Sequence, residues 1–188
     1  FENEWPLART EYTRYYLHSQ GEANSLNGNG SLSIVPPQDE SPDRYTYDPN
    51  NPIYTLGGQI MAIPMTVSGP WDRREVERRD DVLVYTTSIL DQDIEITGPV
   101  CLNLHIISSA EDTDFTGTLV DVYPDGQAII ICEGLLRCRY RDSIEKPSLM
   151  EPGTVYELTV DMWETSNVFK AGHQIRLEVA SSNFPRFD

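Results

Sequence analysis

The acidic residues of the stretch DFTGTLVDVYPDG, residues 114–126, are the first candidates for chemistry in this chain. The stretch has the residue types of a β-strand, so its side chains are expected to alternate between two faces. Read with that period, Asp121 shares a face with Phe115 and Leu119, and Asp114 opens the opposite face. A carboxylate on an apolar face is costly unless it is paired. Each acid could therefore be a catalytic group, a metal ligand or one half of a structural pair.

A hairpin prediction favours the structural interpretation of both acids. The Asp-Gly pair at 125–126 predicts a two-residue type I′ turn, because glycine accepts the positive φ that this turn requires. Folding the chain around that turn places Asp114 opposite Arg137 and Asp121 opposite Ile130. We therefore predict a structural ion pair between Asp114 and Arg137. We expect Asp121 to find backbone donors or an arginine, or to be turned outward by a bulge.

Nucleophilic catalysis finds little support in the sequence. The G-x-S-x-G turn that exposes a serine nucleophile in α/β-hydrolases is absent. The three histidines, His18, His105 and His173, lie within or beside predicted strands. His173 has the parity of the apolar residue Ile175, which favours a hydrogen-bonded structural histidine over a general base. We assign no catalytic residue to this chain.

A metal site is weakly suggested by the acidic loop EDTD. Glu111, Asp112 and Asp114 could hold a structural calcium ion, but their spacing lacks the twelve-residue pattern of calcium loops. No pair of carboxylates stands out for glycoside hydrolysis. We therefore predict no metal and no cofactor, and we interpret the acidic loop as a solvated connection.

Composition excludes several classes of partner. The chain has 188 residues with a formal net charge of −16, which would repel a nucleic acid. No apolar run approaches the roughly 20 residues of a membrane-spanning helix, so no membrane partner is predicted. Cys101, Cys132 and Cys138 are odd in number and are all placed in strands, which favours buried reduced thiols. These thiols indicate a reducing compartment, and we expect a cytoplasmic protein.

Strand patterns dominate the chain, and helical patterns are scarce. Residues 70–81 and 163–169 suggest at most short helical turns, and residues 49–70 suggest a long Pro- and Gly-rich loop of the functional or interface-forming kind. The fold class predicted is all-β: a jelly-roll β-sandwich, galactose-binding-like, with long loops and little helix. Nine strands are predicted at residues 14–19, 31–35, 44–48, 82–89, 100–108, 114–123, 128–140, 154–162 and 173–181.

The motifs also resemble those of a known family. WPLARTEYTRYYLHSQGEAN, YTYDPNNPIYTLGG, TDFTGTLVDVYPDGQAIIICEGLLRCRYR and AGHQIRLEVASSNFPRFD occur in the order found in the C-terminal non-catalytic domain of CocE/NonD serine hydrolases. The resemblance implies an upstream α/β-hydrolase domain that carries a Ser-Asp-His triad and cleaves ester, amide or X-Pro dipeptide substrates. It also implies that this domain packs on the catalytic domain of the same polypeptide. In such enzymes the segment after LGG leans toward the active site, so Ile60 and Met61 are expected to border the pocket.

The resemblance further implies that residues 1–188 form one domain of a longer protein. The family pattern continues past NFPRFD with a last strand, and its absence here would leave a sandwich edge through which a homodimer could form. Two other functions stay open on the residues alone. A jelly-roll of this kind could be a carbohydrate-binding module, or it could be a glycosidase acting through two carboxylates.

Overall fold

The computed structural model describes residues 3–60 and 67–187, which contain eight strands and two short 3₁₀ turns. The turns span Val76–Arg78 and Cys138–Tyr140. No helix in these residues is long and apolar enough to cross a membrane. The strands are β1 (Tyr16–His18), β2 (Ser31–Ser33), β3 (Leu83–Thr86), β4 (Ile94–Ile107), β5 (Asp114–Val122), β6 (Ala128–Arg137), β7 (Val155–Phe169) and β8 (Gln174–Ala180).

The strands form two sheets that pack as a β-sandwich. The larger sheet has six strands in the order β1-β2-β3-β8-β5-β6, and the smaller one pairs β4 with β7. All neighbours are antiparallel except β2 and β3. Alternate residues of both sheets point inward, and side chains such as Leu119, Leu158 and Leu177 bury the apolar core between them. The prediction of an all-β sandwich with little helix is confirmed.

Two glycines let β7 approach the larger sheet closely. Gly117 of β5 and Gly134 of β6 lie directly opposite each other in the ladder. A Cβ on Gly117 would lie 2.8 Å from Leu102 and 2.9 Å from Met162. A Cβ on Gly134 would collide with the backbone carbonyl of Asp161. The absence of a side chain at these positions therefore sets the spacing of the sheets at this point.

The β5–β6 hairpin has the predicted register over most of its length. Asp114 lies opposite Arg137, as predicted. Near the turn, however, the register shifts by one, so that Asp121 lies opposite Ile129 and not Ile130. The prediction of a two-residue turn was also wrong. Gly126, at φ 86°, donates its N–H to Tyr123 O over 2.9 Å and closes a three-residue loop, a form in which glycine occupies the last position.

Two local predictions, a helical turn at 163–169 and a strand at 44–48, were wrong because pairing partners decide where strands form. Residues 163–169 do not form a helical turn, since they continue β7, and residues 164–169 pair with residues 94–99 of β4. Trp163 is the extra residue of the bulge within β7 and has a φ of 67°. Residues 44–48 form no strand, although Tyr45 is anchored by a 2.7 Å hydrogen bond between its hydroxyl and Ser181 Oγ.

Irregular segments cover the outer face of the six-stranded sheet. We call residues 51–60, 67–79 and 181–187 the loop layer. Residues 71–73 pair with the edge of β6, where Ile130 donates to Trp71 O and Arg73 donates to Ala128 O. A second apolar cluster, which includes Ile53 and Val76, lies under the layer. The outer face of this sheet is therefore an interior surface rather than a wet one.

Candidate functional site

The most charged interior site of the domain lies between the loop layer and the sheet. Arg73 of the layer places Nε 3.2 Å and Nη2 2.7 Å from Glu178 Oε2 on β8. Both side chains are almost completely buried. Arg73 Nη1 also donates to the carbonyl of Leu56 at 3.1 Å. A fork of this kind fixes the layer in one position on the sheet, because breaking it would leave a buried charge without a partner.

A second buried pair joins Arg176 of β8 to Glu77 in the first 3₁₀ turn. Arg176 Nη1 donates to Glu77 Oε2 at 2.6 Å, while Glu77 Oε1 has no hydrogen-bond partner among the described residues. The Glu77 side chain is 0% exposed. The pKa of Glu77 rises from 4.5 to about 7, first because burial penalises the carboxylate and second because Glu178 is near, against the lowering effect of Arg176 and Arg73. Glu77 therefore changes charge close to neutral pH.

A third pair ties the C-terminal segment of the layer to β6. Glu133 accepts hydrogen bonds from Arg186 Nη1 and, over 2.7 Å, from Asn183 Nδ2. Gly58, at φ 88°, lies so close to the same carboxylate that a Cβ would strike Glu133 Oε1. Gly58 and Gly69 then exchange two backbone hydrogen bonds of 2.9 Å. Gly58, which ends the LGG motif, is thereby held against the sheet.

None of these six charged residues was singled out from the sequence. Glu133, Arg176 and Glu178 occupy alternate strand positions away from the core, which normally indicates a solvated face. The signal that could have revealed them is the apolar and Pro-rich sequence of residues 49–70, of which residues 51–60 and 67–70 belong to the covering layer. Each glutamate meets an arginine, so the arrangement neutralises charge and presents no unengaged acid–base pair to a substrate.

Asp121 finds a partner that the sequence did not predict. Its Oδ1 lies 2.8 Å from His173 Nδ1, and both side chains are largely buried. The ring of Tyr123 packs on the imidazole with 4.4 Å between centroids. The partner is therefore a histidine and not an arginine or a backbone donor. The interpretation of His173 as a hydrogen-bonded structural residue is confirmed by this contact.

One cluster has the composition of a catalytic triad but the wrong proton arrangement. Ser33 Oγ lies 3.1 Å from His18 Nε2, and His18 Nδ1 lies 2.7 Å from Glu40 Oε1. Nε2 also lies 2.9 Å from the carbonyl oxygen of Val35. The Val35 carbonyl oxygen can only accept a hydrogen bond, so Nε2 donates its N–H there and is not free to take the serine proton. The cluster therefore fixes the segment after β2 and does not activate Ser33.

The pair Asp114 and Arg137 is part of a larger ion cluster. Arg137 Nη1 lies 3.6 Å from Asp114 Oδ2, but its shorter contact is the 2.8 Å bond from Nε to Asp112 Oδ2. Asp112 also accepts from Arg139 Nε at 2.5 Å. Burial alone would raise the pKa of Asp112, but the hydrogen bonds from Arg139 and Arg137 outweigh it and lower that pKa. The carboxylate of Asp112, which the calcium interpretation needs as a ligand, is therefore hydrogen-bonded by two arginines.

The cysteine prediction needs two corrections: Cys101 is not buried, and Cys138 lies in the second 3₁₀ turn and not in a strand. Cys132 and Cys138 are buried, and burial raises the pKa of their thiols to about 12 and about 11. Cys101 is exposed, because it lies on the outer face of the two-stranded sheet, opposite Asp161. All three thiols are free.

The residues expected to border a pocket lie at the edge of the described structure. Ile60 is half-buried and follows the Gly58–Gly69 pairing by two residues. Met61 lies outside the described residues. The structure thus locates the start of this segment at the margin of the loop layer.

Comparison with known proteins assigns the chain to a family. Residues 1–188 match the family described as the X-Pro dipeptidyl-peptidase C-terminal non-catalytic domain. The chain belongs to that family. It is 48% identical over 187 residues to the cocaine esterase of Rhodococcus sp. (strain MB1 Bresler), covering 100% of this chain and 32% of the esterase. The chain thus spans about a third of the length of that relative.

Solved structures share the fold of this family member. An aminopeptidase from a marine sediment Thaumarchaeota archaeon superposes with a TM-score of 0.79 at 24% identity, covering 98% of this chain and 31% of the aminopeptidase. An α-amino acid ester hydrolase superposes with a TM-score of 0.73 at 25% identity, covering 89% of this chain and 29% of the hydrolase. The first comparison shows the fold alone. By its family match, this chain is a C-terminal non-catalytic domain of the X-Pro dipeptidyl-peptidase kind.

Proposed function

We propose that this domain completes a serine hydrolase whose catalytic triad lies in an upstream α/β-hydrolase domain of the same polypeptide. The observation that carries the proposal is the family match over residues 1–188 to a domain described as non-catalytic. The site geometry agrees with that role. In the Ser33–His18–Glu40 cluster, the imidazole nitrogen that faces the serine also faces the carbonyl oxygen of Val35. The reaction of the whole enzyme is hydrolysis of an ester, an amide or an X-Pro bond.

The domain contributes by packing on the catalytic domain and shaping the mouth of its active site. Ile60 and Met61 border the pocket in this proposal. Support comes from the rigid root of their segment, where Gly58 is pinned on Glu133 and paired with Gly69.

The test is hydrolysis of a p-nitrophenyl ester by this chain, by the separately expressed upstream region, and by their mixture. We expect no turnover from the chain alone and higher turnover from the mixture than from the upstream region. Turnover by the chain alone, lost in a Ser33→Ala variant, would overturn the proposal. A mixture no more active than the upstream region would contradict a role at the active-site mouth.

Two further properties belong to the same proposal. The three free thiols favour a reducing compartment, the cytoplasm. A second copy of the protein could associate through an open strand edge, for which β1 at one end of the six-stranded sheet is a candidate. Sedimentation of the whole enzyme distinguishes a monomer from such a homodimer.

A further inference from the structure

Three aromatic side chains are exposed on the outer surface of the loop layer. Tyr54 is 66% exposed, Trp71 is 46% exposed and Phe184 is 41% exposed. Val67, which precedes Trp71 by four residues in the chain, is also exposed. Such side chains carry large apolar areas, and they are enriched where proteins contact each other.

Backbone contacts join these residues into one patch. Tyr54 and Phe184 lie opposite each other in a parallel bridge, and Phe184 N–H donates to Ile53 O at 2.8 Å. On the other side, Gly57 approaches Trp71 so closely that a Cβ would lie 2.7 Å from Trp71 Cβ. Gly57 N–H also donates to Val67 O at 3.0 Å. The short segment 53–58 therefore connects all the exposed apolar side chains of the layer.

The patch rests on a rigid support. The three buried pairs Arg73–Glu178, Arg176–Glu77 and Arg186–Glu133 attach the segments of the layer to β8 and β6. A surface held in one conformation loses little entropy when a partner covers it. A need to keep the aromatic surface in one conformation would explain why three ion pairs are buried beneath it.

The opposite side of the sandwich has a different character. The outward residues of β4 and β7 combine polar pairs such as Asn103 and Thr159 with the exposed aliphatic side chains of Ile107, Val155 and Val168. Trp163, which is 57% exposed, is the large aromatic of β7 on that side. The loop layer therefore presents three exposed aromatic side chains where the β4–β7 face presents one, and aromatic side chains are the ones enriched at interfaces.

We propose that the loop-layer patch of Tyr54, Trp71 and Phe184 is the surface that the catalytic domain covers. This inference rests on the proposed function, because the occupant is the upstream domain of the same polypeptide. The relative that shares 48% identity is about three times as long as this chain, which covers 32% of it, so such enzymes have a large additional part to dock. Interfaces between domains of one chain need only a modest apolar surface, because the covalent link keeps the partners together.

The experiment measures binding of this chain to the separately expressed upstream region by isothermal titration calorimetry. We expect Trp71→Ala and Tyr54→Ala each to raise Kd by ~10-fold or more, as for central aromatic residues of an interface. The matched control is Trp163→Ala, which removes an equally large exposed side chain from the opposite sheet and should change Kd less than ~2-fold. Thermal melting of each variant shows whether the fold is kept. Tyr54→Ala serves if Trp71→Ala is unfolded, because most of the Tyr54 side chain is exposed.

The outcomes separate the two proposals. If the wild-type chain does not bind the upstream region at all, the proposed packing of the two domains fails and this inference fails with it. If it binds but only Trp163→Ala weakens binding, the proposed function stands and the assigned surface is wrong. If the chain alone self-associates and Tyr54→Ala abolishes that association, the patch is a contact between copies. Binding of a soluble glycan that Trp71→Ala removes would overturn the inference in favour of a carbohydrate site.

Discussion

Replacing Glu77 with glutamine should change how the stability of this domain depends on pH. The wild-type carboxylate is 0% exposed and has a pKa of about 7 against an ordinary value of 4.5. The folded state therefore binds the proton more tightly than the unfolded state does. This contribution to stability is fully present below the ordinary pKa and is lost as pH rises through the folded pKa. Glutamine keeps the neutral form at every pH, so the variant should not show this loss.

The magnitude follows from the two pKa values. Between pH 5 and pH 8, linkage between 4.5 and about 7 removes roughly 2–3 kcal/mol of folding free energy from the wild type. The difference in unfolding free energy, Glu77→Gln minus wild type, should therefore rise by that amount over the same interval. The difference itself is the observable, because carboxylates with lowered pKa such as Asp112 and Asp93 affect both proteins equally.

Urea denaturation followed by tryptophan fluorescence at pH 5, 6, 7 and 8 gives the required free energies. The matched control is Glu75→Gln, two residues away in sequence and exposed to solvent. Its difference from the wild type should stay constant with pH over this range. A constant difference for Glu77→Gln, or one that falls with pH, would refute the argument from burial.

Three further outcomes are expected. Gly134→Ala should lower the unfolding free energy by ~1–3 kcal/mol or prevent folding, because the Cβ of the new alanine would collide with the carbonyl of Asp161. A melting temperature equal to that of the wild type would contradict this packing. Asp114→Ala should lower the melting temperature, because the side chain is largely buried beside Arg137, and should leave the proposed hydrolytic activity intact; unchanged melting with a large loss of activity would contradict the structural interpretation. Native protein treated with a thiol reagent should react rapidly at Cys101 and slowly at the other two cysteines, as mass spectrometry of the labelled peptides would show.

The hairpin shows how far a local pattern can be trusted. Period-two alternation and the Asp-Gly turn predict that Asp114 faces Arg137, and the structure has that register. The position of Asp121 was displaced because Ile131 is an extra residue of β6, between the partners of neighbouring β5 residues. A bulge of this kind depends on how the strands pack in three dimensions. The alternation of side chains does not reveal it.

Strand limits fail for the same physical reason. Residues 163–169 have weak strand character by themselves, yet they extend β7 because residues 94–99 offer them a ladder. Residues 44–48 have strong strand character, yet they form no ladder in the fold. Hydrogen bonds between strands are made with distant residues, so propensity alone does not determine which segments pair.

The sequence by itself determined the all-β class, the faces of the long strands and the family, because these depend on residue types, their alternation and the order of motifs. It also determined that Glu133 and Glu178 point away from the core. Only the tertiary structure decided that this side is buried. Their partners, Arg186 and Arg73, lie 53 and 105 residues away in the chain. Alternation tells on which side of a sheet a residue lies, whereas burial depends on which distant segment covers that side.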